Sequence, residues 1–300
     1  MLEEAEIETS RPDNNGKGMA YAFAGIFCMA WMDALAKLLG EGYGVVQLVF
    51  CRNLFGLIVV LFLVWREGGR QTLKTRHPFL HLLRGLCALA TTFCFFSGLQ
   101  YMPLAEALAI AFAGPIFIAA LSGPALKERV GPRRWAAVLA GFAAVLLILR
   151  PGSGAFQPAS LLPLAAALGY AVVMITSRRL SREDSSSSIL FWTAIVGLLG
   201  SLLPLPFGWI TPTPVDWLLL IVMGSAGSVT MFLMVQAYRH APAAVLAPFD
   251  YAVLIWGLII GWLIWQELPD PAIWPGVALL IACGLYIIHR EARAKARQQG

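Results

Sequence analysis

Charge is what this chain most lacks. Only 13% of its 300 residues are Asp, Glu, Lys or Arg, about half of the roughly 25% that a water-facing surface carries. Hydrophobic residues make up 59% and mean hydropathy is +0.73. That balance excludes the soluble classes, and the long apolar runs read as an integral membrane protein. Cysteine is also sparse. Cys28, Cys51, Cys87, Cys94 and Cys283 are odd in number, fall inside apolar runs and form no CxxC, which excludes a disulfide framework or a zinc site. HExxH, Walker A and GxGxxG are absent. Gly224-Ser225-Ala226-Gly227 superficially resembles an intramembrane protease motif, but His240 and His289 sit at span ends, too far out to activate Ser225. The expectation is therefore no enzyme, no metal and no cofactor. The net charge of +5 is scattered over short loops rather than gathered on one face, so nucleic acid is not an expected partner. Membrane lipid and a small-molecule substrate are.

Apolar runs bounded by charge, Gly or Pro predict spans at 18–39, 44–65, 79–100, 103–123, 133–149, 159–178, 188–209, 215–238, 242–265 and 272–288. The head carries Glu3, Glu4, Glu6 and Glu8 and lacks a basic n-region, so the first helix is expected to be retained. Basic residues give the orientation, because positive loops stay cytoplasmic. With the N-terminus inside, the inner segments hold 18 of the 22: Arg11, Lys17, Arg66, Arg70, Lys74, Arg76, Lys127, Arg129, Arg133, Arg134, Arg178, Arg179, Arg182, Arg239, Arg290, Arg293, Lys295 and Arg297. The outer loops hold only Arg150, and Lys37, Arg52 and Arg84 fall within spans. The expected fold is an all-α membrane protein of ten transmembrane helices with both termini cytoplasmic, multi-pass in the cell inner membrane.

The two halves of the chain repeat. Glu128, Pro132 and Trp135 after span four recur 139 residues later as Glu267, Pro271 and Trp274 after span nine, and Tyr101 and Ala107 recur as Tyr238 and Ala244. Two copies of five helices must lie inverted to one another in the membrane, as in many secondary transporters. The expected organisation is an acidic cytoplasmic head (1–17), a first repeat (18–149), a linker (150–158), a second repeat (159–289) and a basic cytoplasmic tail (290–300).

Ten helices in two such copies, each with Glu, Pro and Trp between its fourth and fifth helix, resemble the EamA-type members of the drug/metabolite transporter superfamily. His77-Pro-Phe-Leu-His81-Leu-Leu-Arg84-Gly85, Pro103-Leu-Ala-Glu106-Ala107 and Glu128-Arg-Val-Gly-Pro-Arg-Arg-Trp135 resemble the subgroup of bacterial riboflavin and S-adenosylmethionine uptake carriers. The resemblance implies a central cavity between the repeats, alternating access and a small organic substrate. Riboflavin or a similar cofactor comes first, then S-adenosylmethionine, then export of amino acids or toxic metabolites. A membrane scaffold subunit is the reading outside transport.

Ionisable groups at membrane depth need partners or roles. Asp33 and Arg52 lie at matching depths of roughly 10 to 12 Å from the outer surface and can meet. Lys37 and Glu106 lie near that surface, and Arg84 and Asp250 enter from the inner side, where they can pair. Asp250 is the strongest candidate for the substrate path, because it follows Pro242 and Pro248 in span nine. Span four carries the matching interruption at Gly114 and Pro115, and paired helix interruptions point to a transport site. Asn53, Gln100, Ser228 and Gln236 are further polar candidates for the lining, with Trp192 and Tyr251 as aromatic ones. Gly257 and Gly261 form a GxxxG that serves an internal contact or a homodimer.

Two measurements test these expectations. Cysteine at position 154 should be labelled from outside intact spheroplasts, whereas cysteine at 74, 131 or 295 should need permeabilised cells; external labelling at 74 or 295 overturns the topology. Asp33→Arg and Arg52→Asp should each destabilise by roughly 3 to 5 kcal/mol, and the double exchange should recover folding, as read by thermal stability in detergent.

Overall fold

The computed structural model describes residues 15–67, 69–126, 132–150, 157–181, 183–241, 246 and 249–299. All of its regular structure is helical: α1 (Asn15–Gly40), α2 (Val45–Arg66), α3 (Pro78–Leu99), α4 (Leu104–Ala111), α5 (Gly114–Leu126), α6 (Pro132–Leu149), α7 (Leu161–Leu180), α8 (Ser186–Leu202), α9 (Pro214–His240), α10 (Ala252–Trp265) and α11 (Trp274–Gln299), with four short 3₁₀ turns between them. Seven segments are long and apolar enough to cross a bilayer, counting α4 and α5 as one, and Val138–Leu149, Ala252–Trp265 and Pro271–Tyr286 are shorter apolar helices. At 1.5 Å per residue, the 22 residues of α2 reach about 33 Å, the thickness of a hydrocarbon core. The chain is a multi-pass membrane protein of seven to ten spanning helices.

Local chemistry sets the ends. Pro214 opens α9 behind Thr213, whose hydroxyl accepts from the Asp216 amide at 3.2 Å. Ser185 caps α8 through the Ser188 amide at 3.1 Å. The seventh span was expected to reach 209, but α8 stops at Leu202, because Pro204 and Pro206 supply no amide to continue it and the chain passes into a 3₁₀ turn at Leu205–Phe207. The last helix, in contrast, runs past the expected boundary at 288 to Gln299, since nothing in the basic tail breaks it.

Span four is broken. Helix α4 ends at Ala111, Phe112 and Ala113 form a turn, and α5 begins at Gly114. Pro115 in the first turn of α5 has no amide to offer the carbonyl four residues back. The Phe117 amide reaches Ala113 O at 3.1 Å, restarting the ladder on the far side of the turn. Span nine is described from Phe249, with a turn at Tyr251 before α10 starts at Ala252. Pro242 and Pro248 lie outside the described residues, as do 1–14, most of the expected linker and Glu128.

The most extensive helix pairs are α1 with α9, α3 with α7 and α6 with α11, followed by α2 with α9, α2 with α8 and α3 with α8. Helix α5 packs on α7, and α10 on both α1 and α4. In lipid no hydrophobic force drives helices together, so close packing must do it. Glycines supply the approach: a Cβ on Gly85 of α3 would lie 2.5 Å from that of Val196, and one on Gly276 would lie 2.6 Å from Ile148. Gly257 faces Leu108 and Gly261 faces Leu104, both of α4. The GxxxG thus serves an internal contact with α4, the first of the two uses expected of it. Leu61, Phe62, Leu139, Leu146 and Leu263 stay exposed on the outside of the bundle, a surface suited to lipid.

Gly85→Ala should therefore force α3 from α8 and lower stability by about 1 to 3 kcal/mol. Gly42→Ala, with nothing within 4 Å of an added Cβ, should change it little. Melting of the two variants in detergent, beside the unaltered protein, checks the contrast.

Candidate functional site

Polar chemistry inside this bundle falls into a central junction and a pair of helix breaks. At the junction, Arg52 of α2 reaches toward α3, where its Nη1 donates to Thr92 Oγ1 at 3.2 Å. On the α9 side, a Cβ added to Gly227 would lie 3.1 Å from Met32 Sδ and 3.7 Å from Arg52 Nη2. The guanidinium therefore occupies the place where α1, α2, α3 and α9 converge. Its Nε is buried and has no hydrogen-bond partner among the described residues. Asp33 of α1 is buried close enough to interact with Arg52 through its charge. No direct ion pair within 4.0 Å forms between them among the described residues. The centre thus holds opposite charges held apart, with one donor unused.

The second feature is where the two broken spans meet. Phe112, in the turn between α4 and α5, stacks on Tyr251, in the turn before α10, with ring centroids 5.0 Å apart and planes inclined by 23°. Tyr251 Oη reaches the Ile281 carbonyl of α11 at 3.5 Å. Asp250, beside Tyr251, is half-buried and has no hydrogen bond or ion pair among the described residues. An apolar groove of about 420 Å³ between Phe23, Tyr251, Leu258, Trp274 and Ile281 reaches the same turn from the side.

The other expected pairings are replaced. Arg84 does not meet Asp250: its Nε donates to Ser177 Oγ of α7 at 2.8 Å, and its Nη1 donates to the Ile189 carbonyl at 3.3 Å and to Thr193 Oγ1 of α8. Neutral acceptors on two helices solvate this buried cation. Lys37 pairs with Glu267 rather than Glu106, donates to the Met102 carbonyl at 3.2 Å, and lies 4.8 Å from the Trp265 ring centroid. Glu106 sits instead near Arg150 and Asp270, which form an ion pair at 2.8 Å. The Ala272 amide and the Arg150 guanidinium hold the Asp270 carboxyl below the usual carboxylate range.

Several polar candidates serve as helix contacts. Asn53 donates to Val49 O at 2.8 Å and packs against Gly197 of α8. Ser228 donates to Gly56 O at 3.0 Å, joining α9 to α2. Gln100 is exposed and ties the end of α3 to Gly40 O at 3.2 Å. Gln236 is half-buried with no hydrogen bond among the described residues. Trp192 lies away from the junction, donating to Leu73 O at 3.2 Å beside His81. Pro115 sits at the α5 start, and Pro248 lies outside the described residues.

Sequence reasoning missed two end-of-bundle clusters. At the end where α1 finishes, Tyr43 Oη donates to Asp216 Oδ2 at 2.6 Å, and Gln47 exchanges two hydrogen bonds with the Ile210 backbone at 2.7 and 3.0 Å. At the opposite end, buried His81 Nε2 lies 2.9 Å from Asp184 Oδ2, which also accepts from Thr75 Oγ1 at 2.9 Å. Both clusters join residues more than 100 positions apart, so no local pattern marks them. The Gly114-Pro115 break was the one signal that could have found Phe112.

The EamA-like transporter family matches this chain at residues 16–150 and again at 157–290. The chain is 32% identical to an S-adenosylmethionine uptake transporter of Rickettsia bellii over 267 residues, 89% of this chain and 91% of that one. It is 28% identical to a riboflavin transporter of Vibrio cholerae over 288 residues, covering 94% and 96%. A crystal structure with 22% sequence identity shares the fold at a TM-score of 0.61, covering 90% of this chain and 95% of that one. Among the described residues no group of three or more His, Cys, Asp or Glu could hold a metal ion. The chain belongs to the EamA-like transporter family.

Proposed function

We propose that this chain is a secondary carrier that imports S-adenosylmethionine across the cell inner membrane. It does so by alternating access between two inverted five-helix repeats, residues 18–149 and 159–289, with both termini cytoplasmic. The helix pairing supports the repeat. Exchanging the first five spans for the second turns the α1–α9 pair into α7–α3 and the α2–α9 pair into α8–α3, and leaves α2–α8 and α6–α11 as themselves. The excess of basic residues on one set of loops supports the orientation.

The observation that carries the substrate is the Asp250 carboxylate beside the Phe112–Tyr251 stack, with no hydrogen bond or ion pair among the described residues. A carboxylate at membrane depth is costly unless water or a cation reaches it. S-adenosylmethionine has a sulfonium and an ammonium to meet it, a flat adenine to lie against aromatic faces, and a carboxylate matched to the unused donor of Arg52. Riboflavin brings a flat ring but no positive charge. The carboxylate thus favours the second of the sequence-level substrates over the first, in line with the relative in Rickettsia bellii. Riboflavin keeps the support of the aromatic stack and of the Vibrio cholerae relative. Lys37, Arg84 and Gln100 have contacts that account for them structurally, and the reading assigns them no substrate contact.

Radiolabelled uptake into proteoliposomes tests the proposal. S-adenosylmethionine should accumulate, and Asp250→Asn at matched abundance should lower its uptake by about tenfold or more, the loss of one charge-assisted contact. Accumulation of riboflavin alone would select the second reading. Transport of neither, with a folded protein, would leave amino-acid or metabolite export and the scaffold.

A further inference from the structure

We propose that the two end-of-bundle clusters are paired gate latches, and that the structure holds both shut. The inference rests on the carrier reading above. A carrier that alternates must close each end with contacts between its halves, and those contacts must break while the other end stays closed. Deep apolar packing between halves would cost too much to separate in each cycle. A few hydrogen bonds between linkers suit the task.

Both clusters have that form. The outer tie joins the α1–α2 linker and the first turn of α2 to the linker between α8 and α9 and the first turn of α9. Tyr43 Oη and Thr213 Oγ1 each donate to Asp216 Oδ2 at 2.6 Å, and the Thr213 amide donates back to Tyr43 Oη at 3.4 Å. Gln47 beside them pairs with both backbone groups of Ile210, like one rung of a sheet. The inner tie joins the α2–α3 linker and the start of α3 to the α7–α8 linker. It combines His81 and Thr75 on Asp184, Trp192 on Leu73 O, and Ser187 donating to Glu67 at 2.5 Å.

The ties are counterparts by place. Exchanging the halves carries the α1–α2 linker onto the α7–α8 linker and the α8–α9 linker onto the α2–α3 linker. The residues differ while the pairing of linkers is the same, as expected if one requirement, a closable mouth, acts on both ends. Helix α2 bears on both ties, through Gln47 near its start and Glu67 one residue past its end, while α8 enters the inner tie through Ser187 and leads by the Leu203–Thr213 linker to Ile210 in the outer one. They pack on each other between the ties, so a tilt that opens one mouth is transmitted to the other.

Thiol accessibility decides the matter without reference to substrate. In a variant with the five native cysteines replaced by alanine, Thr92→Cys places one thiol at the central junction beside Arg52. An impermeant maleimide is applied to right-side-out spheroplasts and to inside-out vesicles. Tyr43→Phe, which removes only the latch hydroxyl, should raise labelling from the outer side about tenfold and lower it from the inner side. Asp184→Asn should do the reverse. Thr75→Ala, which removes one of the two bonds to Asp184 and leaves His81 in place, should follow Asp184→Asn more weakly and covers the case in which the first variant misfolds. Unchanged labelling, or an equal rise from both sides, overturns the latches. Solute flux by the unaltered protein is measured separately: flux with unshifted labelling sinks the latches alone, whereas shifted labelling without any flux sinks the transport reading and leaves the latches standing.

Discussion

A bilayer core offers no water to a stranded hydrogen-bonding group, and most of this molecule follows from that. Helices satisfy their own backbones, which is why the apolar runs become helices of membrane-spanning length. Side chains have no such automatic solution. Arg84 is solvated by Ser177, Thr193 and the Ile189 carbonyl in place of water, and Ser177 and Thr193 themselves donate back to Val173 O and Ile189 O. Lys37 is satisfied by a carboxylate, a carbonyl and an indole face. Against that background several groups without a hydrogen bond among the described residues stand out: Arg52 Nε at the junction, the Asp250 carboxylate at the helix breaks, and His81 Nδ1 and Ser188 Oγ near the starts of α3 and α8.

The Asp250 carboxylate coincides with the breaks in regularity. Phe112 and Tyr251 occupy turns where the helix ladder lapses, and their rings close over each other. A lapse exposes backbone polarity and removes the side-chain crowding of a continuous helix. It is therefore the place in a span where a polar ligand can be accommodated at the lowest cost. The same economy explains why glycines gather elsewhere: at Gly85 and Gly276 no ligand is served, and the absent Cβ only lets two helices touch.

Span positions were legible in the sequence because hydrophobic length is a local property. The break at Gly114-Pro115 was legible because proline acts on its own turn. Partnerships were not. Depth along a helix placed Asp33 opposite Arg52 but says nothing about which way a helix is rotated, so Arg84 was matched to Asp250 when α7 and α8 were its true surroundings. Lys37 was set beside Glu106 by depth, while its partner Glu267 lies 230 residues away and had been noticed only as a mark of the repeat. Tyr43 drew no notice and His81 only as part of a carrier-like stretch, since the carboxylates they meet arrive from the other half of the chain.

One contact bears on how far each mouth can part. Helix α2 meets α8 tightly where Asn53 lies against Gly197, since a Cβ there would lie 2.6 Å from Asn53 Oδ1. Counting from that point, α2 runs about 12 Å to its start at Val45 and about 20 Å to its end at Arg66. A stiff bar turning about such a point moves its ends in proportion to their distance from it. The arm toward His81 and Asp184 is longer by a factor of about 1.6, so one and the same rotation sweeps a wider aperture on that side than beside Tyr43. The molecule is geared, with a wider swing at the His81 end of α2 than at the Tyr43 end.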